Sequence, residues 1–287
     1  MTFRERRARR TRAALGVAFA AACVVARAGA AQVHVRVRPG DGLRAVAPAE
    51  LRNANGSPRV ADTARYDAVW RRVAPLLTRW ARDPRLGIDP GFAAALLAKE
   101  SGGDSLAVSA APALGVAQLT AAADTDLRAM VQSDRFVWMR REVHRWPRSA
   151  AVHDSSAGAG RVDSLLARGA LTSRDEYLFD PALGARAAVF WLRLLENKWT
   201  TDTWPGGYGT FARRAIGNGR PLTDDQLADL VIVSYNRGYL DVHALVARYG
   251  GEWTAHLSDL GAAGVEAADY LERVRAYAQL FDDAHSS

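Results

Sequence analysis

One carboxylate in this sequence stands where an acid catalyst is expected. Glu100 ends an apolar stretch that begins at Asp89-Pro90, a pair typical of a helix start, and Gly102-Gly103 follows it as a helix stop. The negative end of the helix dipole and apolar neighbours both favour the protonated carboxyl group, which a general acid needs. On position alone, a solvated residue at a helix end is the commoner explanation of Glu100. The residues that follow Glu100 therefore have to show whether it is an acid catalyst or an ordinary helix-end residue.

Four segments of the chain together form a recognisable pattern. The first contains Glu100-Ser101, Ser109 and Gly115-Val116-Ala117-Gln118, and it closely resembles the active-site segment of the SLT-type lytic transglycosylases, which belong to the lysozyme-like superfamily. The other three resemble later elements of that family in the same order: Asp180-Pro181 with Trp191-Leu192, Ser234-Tyr235-Asn236-Arg237-Gly238, and Tyr270-Leu271-Glu272-Arg273-Val274. The resemblance covers residues 85–280, and four elements in order are a specific signal.

The resemblance implies a reaction that uses one catalytic carboxylate. Protonated Glu100 gives its proton to the glycosidic oxygen between N-acetylmuramic acid and N-acetylglucosamine, and the same carboxylate then takes the proton of the muramic acid C6 hydroxyl. The product has a 1,6-anhydro end instead of a reducing end. The C6 hydroxyl is a tethered nucleophile at high effective concentration, so no second carboxylate is needed to hold a water molecule.

The resemblance also implies substrate contacts for six further residues: Ser101, Ser109, Gln118, Tyr235, Asn236 and Tyr270. The amides of Gln118 and Asn236 suit sugar acetamido and hydroxyl groups, and a hydroxyl bond from Tyr235 would hold Glu100 in position. Each residue has an ordinary alternative. The amides are then surface or capping groups, and the tyrosines are core aromatics. The two serines then contact the backbone, and Ser109 forms a turn before Pro112.

Several positions depart from the family pattern. Ala117 replaces a larger hydrophobic residue, which is expected to widen or weaken the sugar subsite beside the acid. Leu183-Gly184-Ala185 stands where an asparagine usually follows Asp-Pro. Between Gln118 and Asp180 there are 61 residues, more than the family's core needs. Residues 121–179 are therefore predicted to be an insertion, which either lines a cleft or forms a flexible surface excursion.

Apolar periodicity predicts a mainly α fold, a lysozyme-like domain over residues 62–284. Apolar residues at three- and four-residue steps predict helices over residues 66–80 and 270–281, and an amphipathic helix over residues 185–199. Thr223 and Gln226 have capping-box spacing and predict a helix that ends at Gly238. Residues 31–61, punctuated by Pro, Gly and Asn, predict an irregular lead-in.

The positive charge of the chain is concentrated at its start. The formal net charge is +7, yet residues 1–30 hold seven Arg against one Glu, so residues 31–287 carry 31 Lys and Arg against 30 Asp and Glu. This removes the main support for nucleic-acid binding. The Arg-rich start, the apolar run 13–26 and Ala28-Gly29-Ala30 predict an export signal and a periplasmic or cell-envelope location. An uncleaved anchor and a lipid anchor at Cys23 are the alternatives.

Cysteine and histidine usage excludes several other chemistries. Cys23 is the only cysteine, so a chain cleaved near Ala30 has no disulfide framework, thiolate metal site or cysteine nucleophile. The six histidines show no metal-ligand spacing, and neither a metal nor a cofactor is expected.

The expected partner is the glycan strand of peptidoglycan, bound by a monomer, with secretion or cell-wall machinery as a further partner class. Two rival functions stay open. One is a hydrolytic lysozyme or chitinase on the same fold, and the other is a non-catalytic peptidoglycan-binding or secretion-assembly component.

Overall fold

The structure is a computed structural model that describes residues 86–109, 113–130, 176–202 and 206–285, together with five single positions, Arg71, Ala74, Leu77, Ser164 and Ala167. All of these residues belong to one compact unit. The predicted export signal, residues 1–30, and the lead-in, residues 31–61, lie outside the described residues. Of the predicted helix over residues 66–80, Arg71, Ala74 and Leu77 are described. All three are helical, and Leu77 is buried.

The described chain is mainly α-helical, as the sequence predicts. Its helices are α1 (Pro90–Ser101), α2 (Ala121–Met130), α3 (Pro181–Thr200), α4 (Gly209–Ala215), α5 (Asp224–Arg237), α6 (Tyr239–Tyr249) and α7 (Ala262–His285). Two 3-10 helices, Glu176–Phe179 and Gly250–Leu260, connect them. The strands β1 (Ala113–Leu114) and β2 (Leu119–Thr120) form a short antiparallel hairpin with Leu114 opposite Leu119. No helix in the described ranges is long and apolar enough to cross a membrane.

Helix α3 is the centre of the fold, and its prediction as an amphipathic helix is wrong. It is buried around its whole circumference because α1, α2, α4, α5 and the 3-10 helix Glu176–Phe179 pack against it. Two of its charged residues pair inside the protein: Arg193 and Glu196 form a buried ion pair whose nearest nitrogen and oxygen are 2.6 Å apart. The helix also begins earlier than residue 185, because the Asp180 carboxylate caps the backbone N–H groups of Ala182 and Leu183.

The other helix boundaries follow local sequence signals. The capping box of α5 is present: the Thr223 hydroxyl accepts from Gln226 N, and the Gln226 side chain accepts from Thr223 N. Gly238 ends α5 with a φ of 85°, a conformation that a residue with a side chain rarely adopts. Helix α7 begins at Ala262, well before the apolar face predicted around residues 270–281, and it packs along α1 and α5. These contacts bring the carboxyl end of α1 beside the middle of α7.

Both ends of the predicted insertion, residues 121–179, belong to the core. Leu127 in α2 is fully buried, and Tyr177 and Leu178 in the 3-10 helix are buried as well. The part of the insertion between residues 130 and 176 lies outside the described residues except for Ser164 and Ala167. The extra sequence therefore starts and finishes on elements that help to form the site.

Candidate active site

Glu100 lies in the last turn of helix α1, where the buried helix reaches the protein surface. The Asp89 side chain accepts a 2.9 Å hydrogen bond from Phe92 N at the start of the helix, and Gly102 ends it with a φ of 64°. Residues 91–98 are buried, whereas Glu100 is only partly buried. A rigid, buried helix that ends in a partly accessible carboxylate holds that carboxylate at a fixed position.

Tyr270 holds the Glu100 carboxylate. The Tyr270 hydroxyl in α7 donates to Glu100 Oε1 over 2.5 Å, and its ring is almost completely buried. Burial and the charge of Glu100 raise the pKa of Tyr270 well above its usual value, so the hydroxyl stays protonated and remains a donor. A neighbouring ion pair between Lys99 and Asp269 joins the same two helices at 3.9 Å. One oxygen of Glu100 is thus oriented by α7.

Tyr235 does not make the predicted hydrogen bond to Glu100. Its hydroxyl donates to the backbone oxygen of Ala117 over 2.7 Å, and the donor to the acid is Tyr270. The charge of Glu100 still contributes to raising the pKa of Tyr235, after burial, so the two groups are close. Sequence reasoning chose the wrong tyrosine because both stand at motif positions and only the helix packing decides which one reaches the carboxylate.

The Gly115–Gln118 segment is the turn of the β1–β2 hairpin. Gly115 has a φ of 68°, and a Cβ there would lie 1.8 Å from the backbone oxygen of Leu178. Gln118 has a φ of 47°, and its Nε2 donates to Gly115 O at 2.9 Å and to Ala107 O at 3.1 Å. The Gln118 amide nitrogen therefore fixes the turn. Its amide oxygen accepts no hydrogen bond from the part of the chain that the structure describes.

Ala117 has a structural position in this turn. Its side chain is fully buried, and its backbone oxygen accepts the hydrogen bond from Tyr235. The small side chain packs in the core and does not line an open subsite, so the expectation that it widens a sugar subsite is not supported. Ala117 instead ties the turn to helix α5.

The two serines of the first segment both bond to the backbone. The Ser101 hydroxyl donates to Val116 O at 2.8 Å and accepts from Gly103 N at 3.1 Å, so it joins the end of α1 to the hairpin turn. The Ser109 hydroxyl accepts from Ala113 N at 3.1 Å, and Ser109 is exposed. The turn-forming alternative for Ser109 is thereby seen in the structure. Substrate contact by either serine stays a prediction.

Asn236 offers a buried acceptor near the end of α5. Its Oδ1 is buried and accepts no hydrogen bond from any residue that the structure describes. A buried amide oxygen without a partner is costly, and it gains a partner if the side chain turns to meet a ligand N–H. Two residues before Asn236, the Ser234 hydroxyl accepts a 3.0 Å hydrogen bond from Trp199 Nε1. This bond anchors the end of α5 on α3.

A second carboxylate lies in this region, and sequence reasoning missed it. Asp124 in α2 is buried, and it accepts from the Tyr177 hydroxyl at 2.5 Å and from Arg128 Nε at 2.8 Å. Tyr177 also contributes to raising the pKa of Tyr235, so this network adjoins the site. The spacing of Asp124 and Arg128, four residues apart, was the one available signal. Tyr177 could not be paired with them from sequence.

The four segments of the sequence pattern meet in space. Ser101 bonds Val116, Tyr235 bonds Ala117, and Tyr270 bonds Glu100. The Asp180-Pro181 segment joins them because both Gly115 and Gly184 approach the Leu178 backbone oxygen too closely for a side chain, with an added Cβ at 1.8 Å and 2.9 Å. Segments up to 170 residues apart in the chain thus converge on one carboxylate.

The search for a metal site among the described residues and the comparisons with known proteins both found nothing. Across the described ranges, no group of three or more His, Cys, Asp or Glu side chains could hold a metal ion. No family model, no curated protein and no solved structure matches the chain. The interpretation of the site therefore rests on its residues and their geometry.

Proposed function

We propose that the protein is an exported peptidoglycan lytic transglycosylase with a lysozyme-like fold, in which Glu100 is the only catalytic acid and base. The observation that carries this proposal is the hydrogen bond from buried Tyr270 to Glu100 at the end of α1, where the other pattern segments converge. This arrangement gives one carboxyl group a fixed orientation, with Oε1 engaged by Tyr270. In the proposed complex, the reacting bond lies against this carboxyl group.

In the first step, protonated Glu100 gives its proton to the glycosidic oxygen. The bond from C1 of N-acetylmuramic acid to that oxygen breaks, and the N-acetylglucosamine side leaves as an alcohol. The carbonyl end of α1 disfavours a negative charge on Glu100 and so favours the protonated starting state. The Tyr270 hydroxyl stabilises the carboxylate that forms when the proton leaves. These two opposing influences keep the group able to switch between its two forms.

In the second step, the Glu100 carboxylate takes the proton of the muramic acid C6 hydroxyl. The C6 oxygen bonds to C1 and closes the 1,6-anhydro ring, which returns Glu100 to its protonated form. No water is consumed, and the proton count of the enzyme is unchanged over the cycle. The amide oxygens of Gln118 and Asn236 are acceptors suited to the sugar acetamido N–H and hydroxyl groups beside this bond.

Asp124 is not placed to act as a second catalytic carboxylate. Most hydrolytic glycosidases use such a group to activate water or attack the sugar. Asp124 is buried and engaged by Tyr177 and Arg128, so it is held as a structural acceptor. A reaction in which the substrate supplies its own nucleophile requires no such group.

The test is digestion of purified peptidoglycan sacculi with the protein, followed by mass spectrometry of the released fragments. We expect 1,6-anhydro products, about 18 Da lighter than hydrolytic ones because no water is added. Glu100→Gln keeps the shape and hydrogen-bonding capacity of the side chain and removes the acid. We therefore expect it to lose turnover by about a thousandfold or more while it folds and binds glycan.

Three results would overturn the proposal. Reducing-end products would place the protein among the hydrolases. Near-normal turnover by Glu100→Gln would show that another group is the acid. Retained glycan binding without any product, in both proteins, would favour the non-catalytic binding function.

A further inference from the structure

A second group of aromatic and titratable side chains lies outside the four pattern segments. Four partly exposed rings form what we call the aromatic platform: Tyr208, Phe211, Tyr239 and His243. The His243 ring lies 4.2 Å from Phe211 and 4.3 Å from Tyr208 between centroids, and Tyr208 lies 6.3 Å from Tyr239. These rings come from α4, α6 and the segment before α4, so the fold assembles the platform from separate elements.

The side chain of Lys198 packs against two rings of the aromatic platform. Its Nζ lies 4.2 Å from the centroid of the Tyr239 ring and 4.8 Å from that of Tyr208, and the residue is buried. The backbone of Tyr208 donates to the Lys198 oxygen at 2.7 Å, which fixes the segment over the lysine. The rings are thus held in place before any ligand arrives.

The charges around the platform compensate each other. Asp126 accepts a 3.2 Å hydrogen bond from the Tyr239 hydroxyl, and its negative charge acts on Lys198. Burial and the nearby charge of Lys198 lower the pKa of His243, so the imidazole is neutral at pH 7. Lys198 and Asp126 are thus two opposite charges that both act on the platform rings. A charged ligand would gain from one of them and lose to the other, which favours a neutral ligand.

The exposed chemistry of the platform suits a saccharide. Flat aromatic faces pack against the C–H faces of sugar rings. The Tyr208 hydroxyl and the His243 ring nitrogens bond to none of the residues described, so they are able to bond to sugar hydroxyl and acetamido groups. The tryptophans with described burial, Trp191, Trp199 and Trp253, lie in the core and cannot serve this purpose.

The platform and the region around Glu100 share helix α2. Helix α2 reaches both, because Asp124 bonds Tyr177 beside the candidate active site and Asp126 bonds Tyr239 in the platform. Tyr239 is also the first residue of α6, three positions after Asn236. The platform is therefore close in sequence to Asn236 and shares a helix with the network beside the candidate active site.

We propose that the aromatic platform is an additional saccharide-binding site that contacts neutral N-acetylhexosamine units of the glycan strand away from the bond that is cleaved. This proposal rests on the proposed function for its substrate class. It predicts that longer strands bind more tightly than short ones and that the platform causes the difference.

The test measures binding of N-acetylglucosamine oligomers by calorimetry in the Glu100→Gln background, with a hexasaccharide and a disaccharide as probes. Adding Tyr208→Ala is expected to weaken hexasaccharide binding by about tenfold and to leave disaccharide binding unchanged. Tyr208→Phe keeps the ring and is expected to retain most of the affinity. Tyr249→Ala is the matched control, because it removes a tyrosine that stacks on His256, at 3.8 Å between centroids, outside the platform.

Thermal melting of each variant separates loss of binding from loss of folding, and His243→Ala replaces Tyr208→Ala if the latter does not fold. Equal hexasaccharide affinity with and without the platform residue, or equal losses in Tyr208→Ala and Tyr249→Ala, would overturn the proposal. The cleavage assay is independent of this measurement. Platform-dependent binding without peptidoglycan cleavage would support the saccharide site and contradict the proposed function alone.

Discussion

The region around Glu100 and the aromatic platform use tyrosine differently, although the Tyr239 hydroxyl of the platform also donates inside the protein, to Asp126. Around Glu100, the hydroxyls of Tyr177, Tyr235 and Tyr270 all donate to acceptors inside the protein. In the platform, Tyr208 and Tyr239 are partly exposed, and their ring faces carry the contacts with Lys198 and His243. In the first region, polar groups form hydrogen bonds inside the protein and fix one carboxylate. In the second, the aromatic rings stay partly exposed to solvent.

This difference matches the two roles that we propose: the first region positions the Glu100 carboxylate, and the platform binds the glycan strand. A catalytic acid has to be held within a fraction of an ångström, which buried and directional hydrogen bonds achieve. A surface that slides along a repeating polymer needs broad contact with little directionality, which aromatic faces supply. Mutations in the two regions should therefore change different measured quantities.

The largest effect is expected from Gly115→Ala. The added Cβ would lie 1.8 Å from the Leu178 backbone oxygen, and the φ of 68° is unfavourable for alanine. We expect a loss of about 3 kcal/mol or more in the free energy of unfolding, measured by denaturant titration, together with loss of turnover.

Gly219→Ala is the matched control for that change. Gly219 has a similar φ of 84°, but nothing lies within 4 Å of an added Cβ. It should cost about 1 kcal/mol from backbone strain alone. If the two variants lost equal stability, the close approach of the hairpin turn to Leu178 would not be what holds the site together.

Tyr270→Phe is expected to have the next largest effect, and on turnover instead of binding. It removes the hydroxyl that orients Glu100 Oε1 and keeps the buried ring. We expect kcat to fall about 10- to 100-fold with little change in the affinity for glycan. Tyr277→Phe, at another buried tyrosine of α7, controls for the loss of a buried hydroxyl and should leave kcat near normal. Equal losses in both would assign Tyr270 to folding only.

The smallest effect concerns His243 and pH. Its pKa is lowered from 6.5, so the folded protein binds fewer protons than the unfolded chain between the lowered value and 6.5. His243 therefore makes stability rise with pH through that window, and it costs stability below it. The slope of the unfolding free energy against pH should be shallower in His243→Gln. The difference is small because the imidazole is partly exposed. An unchanged slope would show that the ring is not desolvated by the platform.

Local sequence signals predicted several helix ends but not the hydrogen-bond partner of Glu100. Asp89-Pro90, the Thr223 capping box and Gly238 act within a few residues of themselves, so their effects could be predicted from sequence. The bond between Glu100 and Tyr270 spans 170 residues and depends on how α7 packs on α1. The periodicity of apolar residues shows which face of a helix is buried. It does not show how the helix is rotated against its neighbour, and that rotation decides which tyrosine reaches Glu100.

The central helix shows a second limit of sequence reasoning. The charged residues of α3 suggested a solvent-facing side, yet Arg193 and Glu196 neutralise each other in the core, and Lys198 lies beneath two tyrosine rings. A charge that is paired inside the protein looks the same in the sequence as a charge in water. The platform was missed for a different reason, because its residues come from separate elements and form no motif.

The most direct test of the central claim is digestion of sacculi in water labelled with heavy oxygen. If the C6 hydroxyl of the substrate is the nucleophile and Glu100 is the only acid and base, the new muramic acid ends carry no label, and Glu100→Gln produces none of them. Incorporation of one labelled oxygen at each new end would show that water attacks, and it would contradict the account.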